Sequence, residues 1–217
     1  MAVVALGRDF VFKMDRPEVC PTGLPEVDAL AGGLPQGCMT EVYGPSSSGR
    51  TSLMLAAMAQ STGSENVCAL VDASDAFDPA SAAAAGVRLE RLLWVRCGGN
   101  AEHALKAADL LVQGGGFGLV VMDLADTPDI AARRISMTSW FRLRRAVEHT
   151  PTVLLVVERQ PHAKTCASLT LEMRREGAVW SGVPGTQTCA RLLRGIRVHV
   201  DRRKPVPAFA ASFESCW

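Results

Sequence analysis

The chain has 217 residues, of which 48% are hydrophobic and 21% charged, and its formal net charge is +1. These values predict one globular domain with a sizeable core and exclude a disordered chain or two ordinary domains. No apolar run is long enough for a membrane-spanning helix, and the opening M-A-V-V-A-L-G-R is too short for a secretion signal. We therefore expect a cytoplasmic protein.

The elements in chain order predict an α/β fold. Residues 1–37 are rich in turn residues, with four prolines between positions 17 and 35. Five apolar, strand-like runs follow at 39–43, 67–72, 92–96, 119–123 and 152–157. Helical patterns occur at 25–30, 52–60, 79–85, 101–113 and 135–149. This alternation predicts a mostly parallel central sheet with helices on both faces.

The pattern changes after residue 157. Segments 168–174 and 194–201 alternate polar and apolar residues, which predicts half-exposed strands in an antiparallel extension at the sheet edge. The apolar tail 205–217 is either a final edge strand or a segment that docks on a partner. We expect residues 1–217 to form a single domain.

Charge and cysteine usage narrow the class further. Residues 1–130 hold 8 Lys and Arg against 16 Asp and Glu, whereas residues 131–217 hold 15 against 6. Such asymmetry is typical of a protein whose basic part meets a polyanion, although arginines on helix faces can also be merely solvated. The seven cysteines are scattered without a C-x-x-C pair, which favours reduced thiols over disulfides or a zinc site.

Residues 44–51, G-P-S-S-S-G-R-T, follow the outline of a phosphate-binding P-loop. That pattern needs glycines that curl the backbone around phosphate, a lysine for the β- and γ-phosphates, and a hydroxyl for Mg²⁺. Here the lysine position is Arg50, whose longer, forked side chain we do not expect to occupy the same place beside a γ-phosphate. The candidate phosphate-loop residues are Gly44, Ser47, Ser48, Gly49, Arg50 and Thr51.

Two further segments belong with this loop in an open α/β sheet, where ligands lie beyond the carboxyl ends of strands. Asp123 ends the run G-L-V-V-M-D, as a Walker B acid near Mg²⁺ would. The loop 72–75, D-A-S-D, follows another apolar strand at a place where such enzymes position the acid that activates water.

Several stretches resemble the RecA recombinase core. They are T-G-L-P-E-V-D-A-L-A-G-G-L-P-Q-G-C-M-T-E-V-Y-G-P-S-S-S-G-R-T at 22–51, V-D-A-S-D-A-F-D-P at 71–79, A-G-V-R-L-E-R-L-L at 85–93, G-L-V-V-M-D-L at 118–124 and V-H-V-D-R-R-K at 198–204. Together they cover most of the chain. The resemblance implies a RecA-like P-loop core with an antiparallel C-terminal edge.

The resemblance also shows where this chain departs from a working ATPase. The position of the RecA glutamate that activates water is Ser74, and a hydroxyl is no base at neutral pH without a base of its own. The glutamine that senses γ-phosphate corresponds to Arg159 or Gln160. With Arg50, these changes predict a degenerate ATPase site with no catalytic residue and no required cofactor. ATP with Mg²⁺ at Thr51 and Asp123 stays an optional ligand.

Other departures are architectural. The resemblance begins near residues 6–7, so we expect the RecA N-terminal oligomerisation helix to be absent, and the chain has no room for the RecA C-terminal domain. The two DNA-binding loops of RecA would be shortened, within 123–145 and 160–167. A strand-exchange filament is therefore not expected.

A small RecA-like protein with these deletions is similar to the ImuA family, accessory proteins of bacterial mutagenic translesion synthesis. C-A-S-L-T-L-E-M-R-R-E-G at 166–177, the nearby Trp180 and L-L-R-G-I-R-V-H-V-D-R-R-K at 192–204 carry this resemblance. It implies a nucleoid-associated adaptor of the SOS response that bridges single-stranded or primed DNA and an ImuB-type Y-family polymerase homologue. An error-prone C-family DNA polymerase, and RecA itself, are the other partners it implies.

Two basic elements are candidates for DNA contact, because arginines bind phosphates and aromatic side chains stack on bases. The first surrounds Trp140 and Phe141, and the second corresponds to the basic pair that RecA extends toward a neighbour's ATP. Their basic residues are Arg133, Arg134, Arg142, Arg144, Arg145, Arg202, Arg203 and Lys204. The alternative is that the aromatic residues belong to the core and the basic residues are solvated.

Two competing functions remain open at this point. One is a recombinase-like, DNA-binding ATPase that tolerates arginine in its P-loop. The other is a division inhibitor similar to the SulA group, which would bind the tubulin-like division protein.

Overall fold

A computed structural model describes residues 18–181 and 191–216. The predictions that concern residues 1–17, Cys189 and Trp217 lie outside this part of the chain. The strands are β1 Val19–Cys20, β2 Leu34–Pro35, β3 Cys38–Tyr43, β4 Cys68–Asp72, β5 Leu92–Arg96, β6 Leu119–Asp123, β7 Val153–Glu158, β8 Leu169–Trp180, β9 Leu193–Lys204 and β10 Phe209–Cys216. The helices are α1 Pro25–Ala31, α2 Arg50–Gly63, α3 Pro79–Ala84, α4 Ala101–Gly114, α5 Asp129–Arg133 and α6 Met137–Val147.

Eight strands form one sheet in the order β10-β9-β8-β3-β7-β6-β4-β5. The neighbours from β3 to β5 are all parallel, and β8 also runs parallel to β3. β9 and β10 then add antiparallel strands. The predicted class, a mostly parallel α/β sheet with an antiparallel C-terminal edge, is confirmed.

Helices cover both faces of the parallel strands, because each strand is apolar on both sides. In β6, Leu119 and Val121 face a core that includes α2, whereas Val120 and Met122 face a second core that includes α4 and α6. Such near-continuous apolar strands are typical of a parallel sheet buried on both faces.

Local sequence sets the helix ends. Asn100 caps α4 by accepting hydrogen bonds from the backbone N–H groups of Glu102 and His103, and Ser136 caps α6 through Ser139 N. This cap explains why α6 begins at Met137, two residues after the predicted start. By contrast, α2 is longer than predicted and includes Arg50 and Thr51 in its first turn.

The C-terminal tail forms an edge strand, one of the two alternatives for this segment. β10 pairs residue by residue with β9, and Phe213 is buried in the core beneath α1 and α2. β8 combines two roles, since Leu169–Glu172 pair with β3, whereas Met173–Trp180 pair with β9 alone. Within the described ranges, no helix is long and apolar enough to cross a membrane.

Candidate functional site

The glycine loop lies between β3 and α2, where its two glycines touch neighbouring strands. A Cβ on Gly44 would lie 2.2 Å from the carbonyl oxygen of Met173 on β8, and one on Gly49 would lie 2.6 Å from Val198 on β9. Gly49 also has a φ of +90°, which disfavours any side chain. Both positions therefore need glycine for the packing of the fold itself, whether or not a phosphate binds.

The Arg50 side chain extends into the protein and is only 5% exposed. Its Nη1 donates a buried hydrogen bond of 2.6 Å to the backbone carbonyl oxygen of Glu158, the last residue of β7. Burial lowers the pKa of the guanidinium, while the carboxylates of Asp123 and Asp126 oppose that shift. The cation at the lysine position therefore ties the loop to the end of β7.

The hydroxyl groups of the loop differ in their surroundings. Thr51 and Ser47 are exposed, and Ser47 has a positive φ of 60°. Ser48 is 1% exposed, and its Oγ has no hydrogen-bond partner among the described residues. A cavity of about 320 Å³ lies beside the loop. Its lining also includes Arg175 of β8 and Leu193 and Ile196 of β9. The loop can thus offer backbone N–H groups to an anion from the first turn of α2.

Asp123 lies at the carboxyl end of β6, at the same edge of the sheet as the loop. Its Oδ1 accepts a hydrogen bond of 2.9 Å from Ala125 N. Burial raises the pKa of this carboxyl to about 6, and the nearby Asp72 and Asp126 add to the shift, while Arg50 opposes it. The structure therefore brings Asp123 near Arg50, as expected of a shared site.

The loop after β4 uses its carboxylates for structure. Asp72 is buried and accepts hydrogen bonds from Ala76 N, Phe77 N and Trp94 Nε1. Asp75 accepts from Gly98 N at 3.2 Å and pairs with Arg96 at 3.1 Å. Both acids are therefore bonded to neighbouring protein groups.

The other two positions compared with the RecA ATPase also face protein groups or solvent. Ser74 Oγ lies 3.3 Å from Thr127 Oγ1. Arg159 Nε donates to Ala125 O at 3.1 Å, and Gln160 is exposed. Arg159 is therefore hydrogen-bonded to the segment that follows β6.

A buried acidic cluster next to Arg50 was missed by sequence reasoning. Glu41 on β3 and Glu158 on β7 are each 1% exposed. Glu41 Oε1 accepts a hydrogen bond of 2.7 Å from Ala163 N, and Glu158 Oε2 contacts His162 Nδ1 at 2.5 Å. His162 Nε2 lies 3.3 Å from Asp129 Oδ1. The sequence feature that could have predicted this cluster is the glutamate inside the strand run C-M-T-E-V-Y at 38–43, which is mostly buried.

Burial makes the two glutamates of this cluster bind protons more tightly than exposed glutamates do. Burial, and then the charge of Glu158, raise the pKa of Glu41 to about 7. Burial also raises the pKa of Glu158, and the hydrogen bond with Glu158 raises the pKa of His162. The remaining oxygens, Glu41 Oε2 and Glu158 Oε1, are buried with no other partner among the described residues, which favours one proton shared between the two carboxyls.

The basic residues of α5 and α6 lie on the outside of the fold. Trp140 and Leu143 are fully buried, so one of the two aromatic residues belongs to the core, whereas Phe141 is 45% exposed. Ion pairs join Arg133 to Asp129, Arg142 to Asp109 and Arg144 to Glu148. Arg134 and Arg145 are exposed and form no ion pair within the described part of the chain.

The basic end of β9 divides its side chains between neighbours. Arg202 donates to the carbonyl oxygens of Leu30 and Pro207, Arg203 pairs with Glu172, and Lys204 Nζ donates to the carbonyl oxygens of Thr165 and Ala167. Lys204 therefore bonds to the segment 164–167, part of which also contacts α6.

The arginines in the last turn of α6, Arg144 and Arg145, lie at the opposite end of the sheet from the glycine loop, whereas Arg133 and Arg134 follow the carboxyl end of β6. α6 returns the chain from the carboxyl end of β6 to the start of β7, so its last turn lies at the amino ends of the strands.

Among the described residues, no group of three or more His, Cys, Asp or Glu side chains is arranged to hold a metal ion.

A glycine loop between a strand and a helix, at the carboxyl edge of a parallel sheet, defines a P-loop-type fold. A family model for the RecA N-terminal domain matches residues 2–132. Protein RecA of Methylococcus capsulatus is 32% identical over 233 aligned positions, which cover 91% of this chain and 65% of that protein. The chain therefore belongs to the RecA family, and it spans 65% of the length of that curated relative.

Proposed function

We propose that this protein is an ImuA-type accessory factor of mutagenic translesion synthesis. It is a single RecA-like core domain that bridges single-stranded or primed DNA and an ImuB-type Y-family polymerase homologue without forming a filament. It needs no nucleotide for this role. An error-prone C-family polymerase joins the same assembly.

The observation that carries this proposal is the position of Arg50. A cation that serves phosphoryl transfer must face the phosphates, where it stabilises the charge that develops. The Arg50 guanidinium instead donates to the carbonyl oxygen of Glu158 and is 5% exposed. Turning it toward the loop would break this buried hydrogen bond of a charged donor, which costs about 1.5–3 kcal/mol, and would leave Gly44 N, at 3.3 Å, as the donor to that carbonyl.

The loop after β4 supports the same conclusion. Hydrolysis needs a group that orients or deprotonates water. Ser74 stands where the resemblance places that group, and both neighbouring acids are committed to backbone and side-chain donors. Two independent changes in one site favour a binding role over turnover.

The exposed arginines of α5 and α6 supply a surface for DNA. Arg134 and Arg145 are exposed, and the half-exposed Phe141 lies beside them in sequence and can stack on a base. Lys204 adds positive charge beside the segment 164–167, part of which also contacts α6. Because Arg145 in the last turn of α6 lies at the amino ends of the strands, opposite the glycine loop, DNA binding there does not require nucleotide.

A bridging experiment tests the function. Immobilised single-stranded DNA is mixed with the ImuB-type homologue with and without this protein, and retention of the homologue is measured. We expect retention only when this protein is present, loss of retention with Arg134→Ala/Arg145→Ala, and normal retention with Thr51→Ala. If the homologue is retained equally without this protein, or if capture from damaged cells recovers the tubulin-like division protein instead, the proposal is wrong.

One observation favours the recombinase-like ATPase as the second candidate. Thr51 is exposed on the first turn of α2, and Asp123 ends β6 at the same edge of the sheet, so both groups that would hold Mg²⁺ are present. Nucleotide-dependent retention in the bridging experiment, abolished by Asp123→Ala, would select this candidate.

A further inference from the structure

The eight-stranded sheet has two outer edge strands, which differ in how well they are protected from pairing with another strand. β5 has five residues, and its flanking arginines pair with acids, Arg91 with Glu65 and Arg96 with Asp75. β10 has eight residues, pairs with β9 in unbroken register, and contains no proline, lysine or arginine. Natural edge strands usually carry such residues, or a bulge, because open backbone groups pair readily with another strand.

The residues of the ranges 18–181 and 191–216 leave the outer side of β10 accessible. Open space of about 440 Å³ lies between α1 and Phe209–Ala211, and about 760 Å³ lies between the helices α2 and α3 and residues 213–216. Phe209 is 54% exposed although Arg202 lies 4.7 Å above its ring. An incoming strand therefore meets apolar surface as well as open backbone.

We propose that β10 pairs antiparallel with β10 of a second copy of this chain, about a twofold axis through Ser212. In this register Ser212 faces itself, Ala211 faces Phe213 of the copy, and Ala210 faces Glu214 of the copy. Small side chains oppose large ones on both faces of the strand. Glu214 is the one charged residue of the strand and is already paired with Arg197 at 2.8 Å, so no like charges meet.

The occupant is a second copy because the strand is complementary to itself in this register. A twofold contact uses the same surface on both copies and therefore closes. The result is a dimer that cannot grow into a filament, and it is independent of the glycine loop and of any polymerase partner.

Cysteine crosslinking tests the register in the full chain carrying Cys216→Ser, which removes the exposed native thiol. Opposed residues in an antiparallel pair have Cα atoms about 4.5–5.5 Å apart, within the range of a disulfide. Ser212→Cys should give a covalent dimer under mild oxidation, because the residue faces itself. Ala210→Cys alone should not, whereas Ala210→Cys combined with Glu214→Cys should. Equal crosslinking of the two single variants would overturn the register.

Sedimentation at increasing concentration tests the contact without crosslinks. Ser212→Lys places like charges opposite each other and should weaken dimerisation by about tenfold or more. Leu93→Lys, on the edge strand β5, is the matched control and should leave the dimer intact. A parent protein that stays monomeric at about 100 µM would overturn the proposal, as would a Leu93→Lys effect equal to that of Ser212→Lys.

Discussion

The charged groups at the carboxyl ends of the central strands are buried and bonded to other protein groups, whereas arginines of α5 and α6 are exposed to solvent. Arg50, Glu41 and Glu158 are each at most 5% exposed, and each contacts another protein group. Arg134 and Arg145 are exposed. A buried charge is costly unless it is paired, so the first region is committed to stability, while the second can bind a polyanion.

The largest effect is expected from breaking the acidic cluster. His162→Ala removes the partner of the buried Glu158 carboxyl and should lower the free energy of unfolding by about 4 kcal/mol at pH 6, where the imidazole is protonated. Because Glu158 raises the pKa of His162 in the folded state, the loss should be smaller at pH 9, above that pKa. Chemical denaturation at both pH values measures it. An equal loss at the two pH values would show that His162 acts only through packing.

Glu41 should make the protein less stable as pH rises. The folded carboxyl keeps its proton up to pH about 7, while the unfolded one releases it near 4.5, so the folded state binds more protons between these values. The free energy of unfolding should therefore fall by about 3 kcal/mol from pH 4.5 to 8. Glu41→Gln should flatten this slope, and Glu148→Gln, outside the cluster, is the control that should leave it unchanged.

Arg50 tests whether the P-loop cation serves the fold. Arg50→Ala removes the shorter of two hydrogen bonds to the carbonyl oxygen of Glu158, the other being from Gly44 N at 3.3 Å. The loss of this buried bond from a charged donor should lower the free energy of unfolding by about 2 kcal/mol. Arg50→Lys should recover only part of that loss, because the shorter ammonium has no fork to reach the same oxygen. Thermal unfolding of the three proteins is the measurement. A lysine variant as stable as the parent would contradict the assigned role.

The smallest effects belong to the exposed arginines. Arg145→Ala should change stability by less than about 0.5 kcal/mol and lower the salt dependence of single-strand binding by about 0.7 in the log–log slope. Arg144→Ala should lower the slope less, since Arg144 Nε already bonds to Glu148 at 2.9 Å. Triple replacement of Arg142, Arg144 and Arg145 should weaken binding further. Binding equal to that of the parent would remove this surface from the account.

Local sequence was sufficient for the framework of the fold. Gly44 and Gly49 predict a loop, the run ending at Asp123 predicts a buried strand, and all five apolar runs are parallel strands. These features depend on neighbours in sequence, whose period and turn chemistry can be read directly.

The hydrogen-bond partners of the buried charged groups could not be predicted from local sequence in the same way. The acceptor of the Arg50 hydrogen bond lies 108 residues away, and Glu41 bonds to Ala163 over 122 residues. A glutamate inside a strand reads as a solvent-facing residue until the neighbouring strand is known. The side-chain direction of Arg50 and the protonation of Glu41 are therefore properties of the tertiary fold.

Phosphate release from ATP, measured with and without single-stranded DNA, tests the central claim most directly. If Arg50 serves the fold and no acid of the loop after β4 activates water, the parent and Asp123→Ala should release phosphate at the same background rate under both conditions. Turnover that DNA stimulates and that Asp123→Ala abolishes would contradict the account.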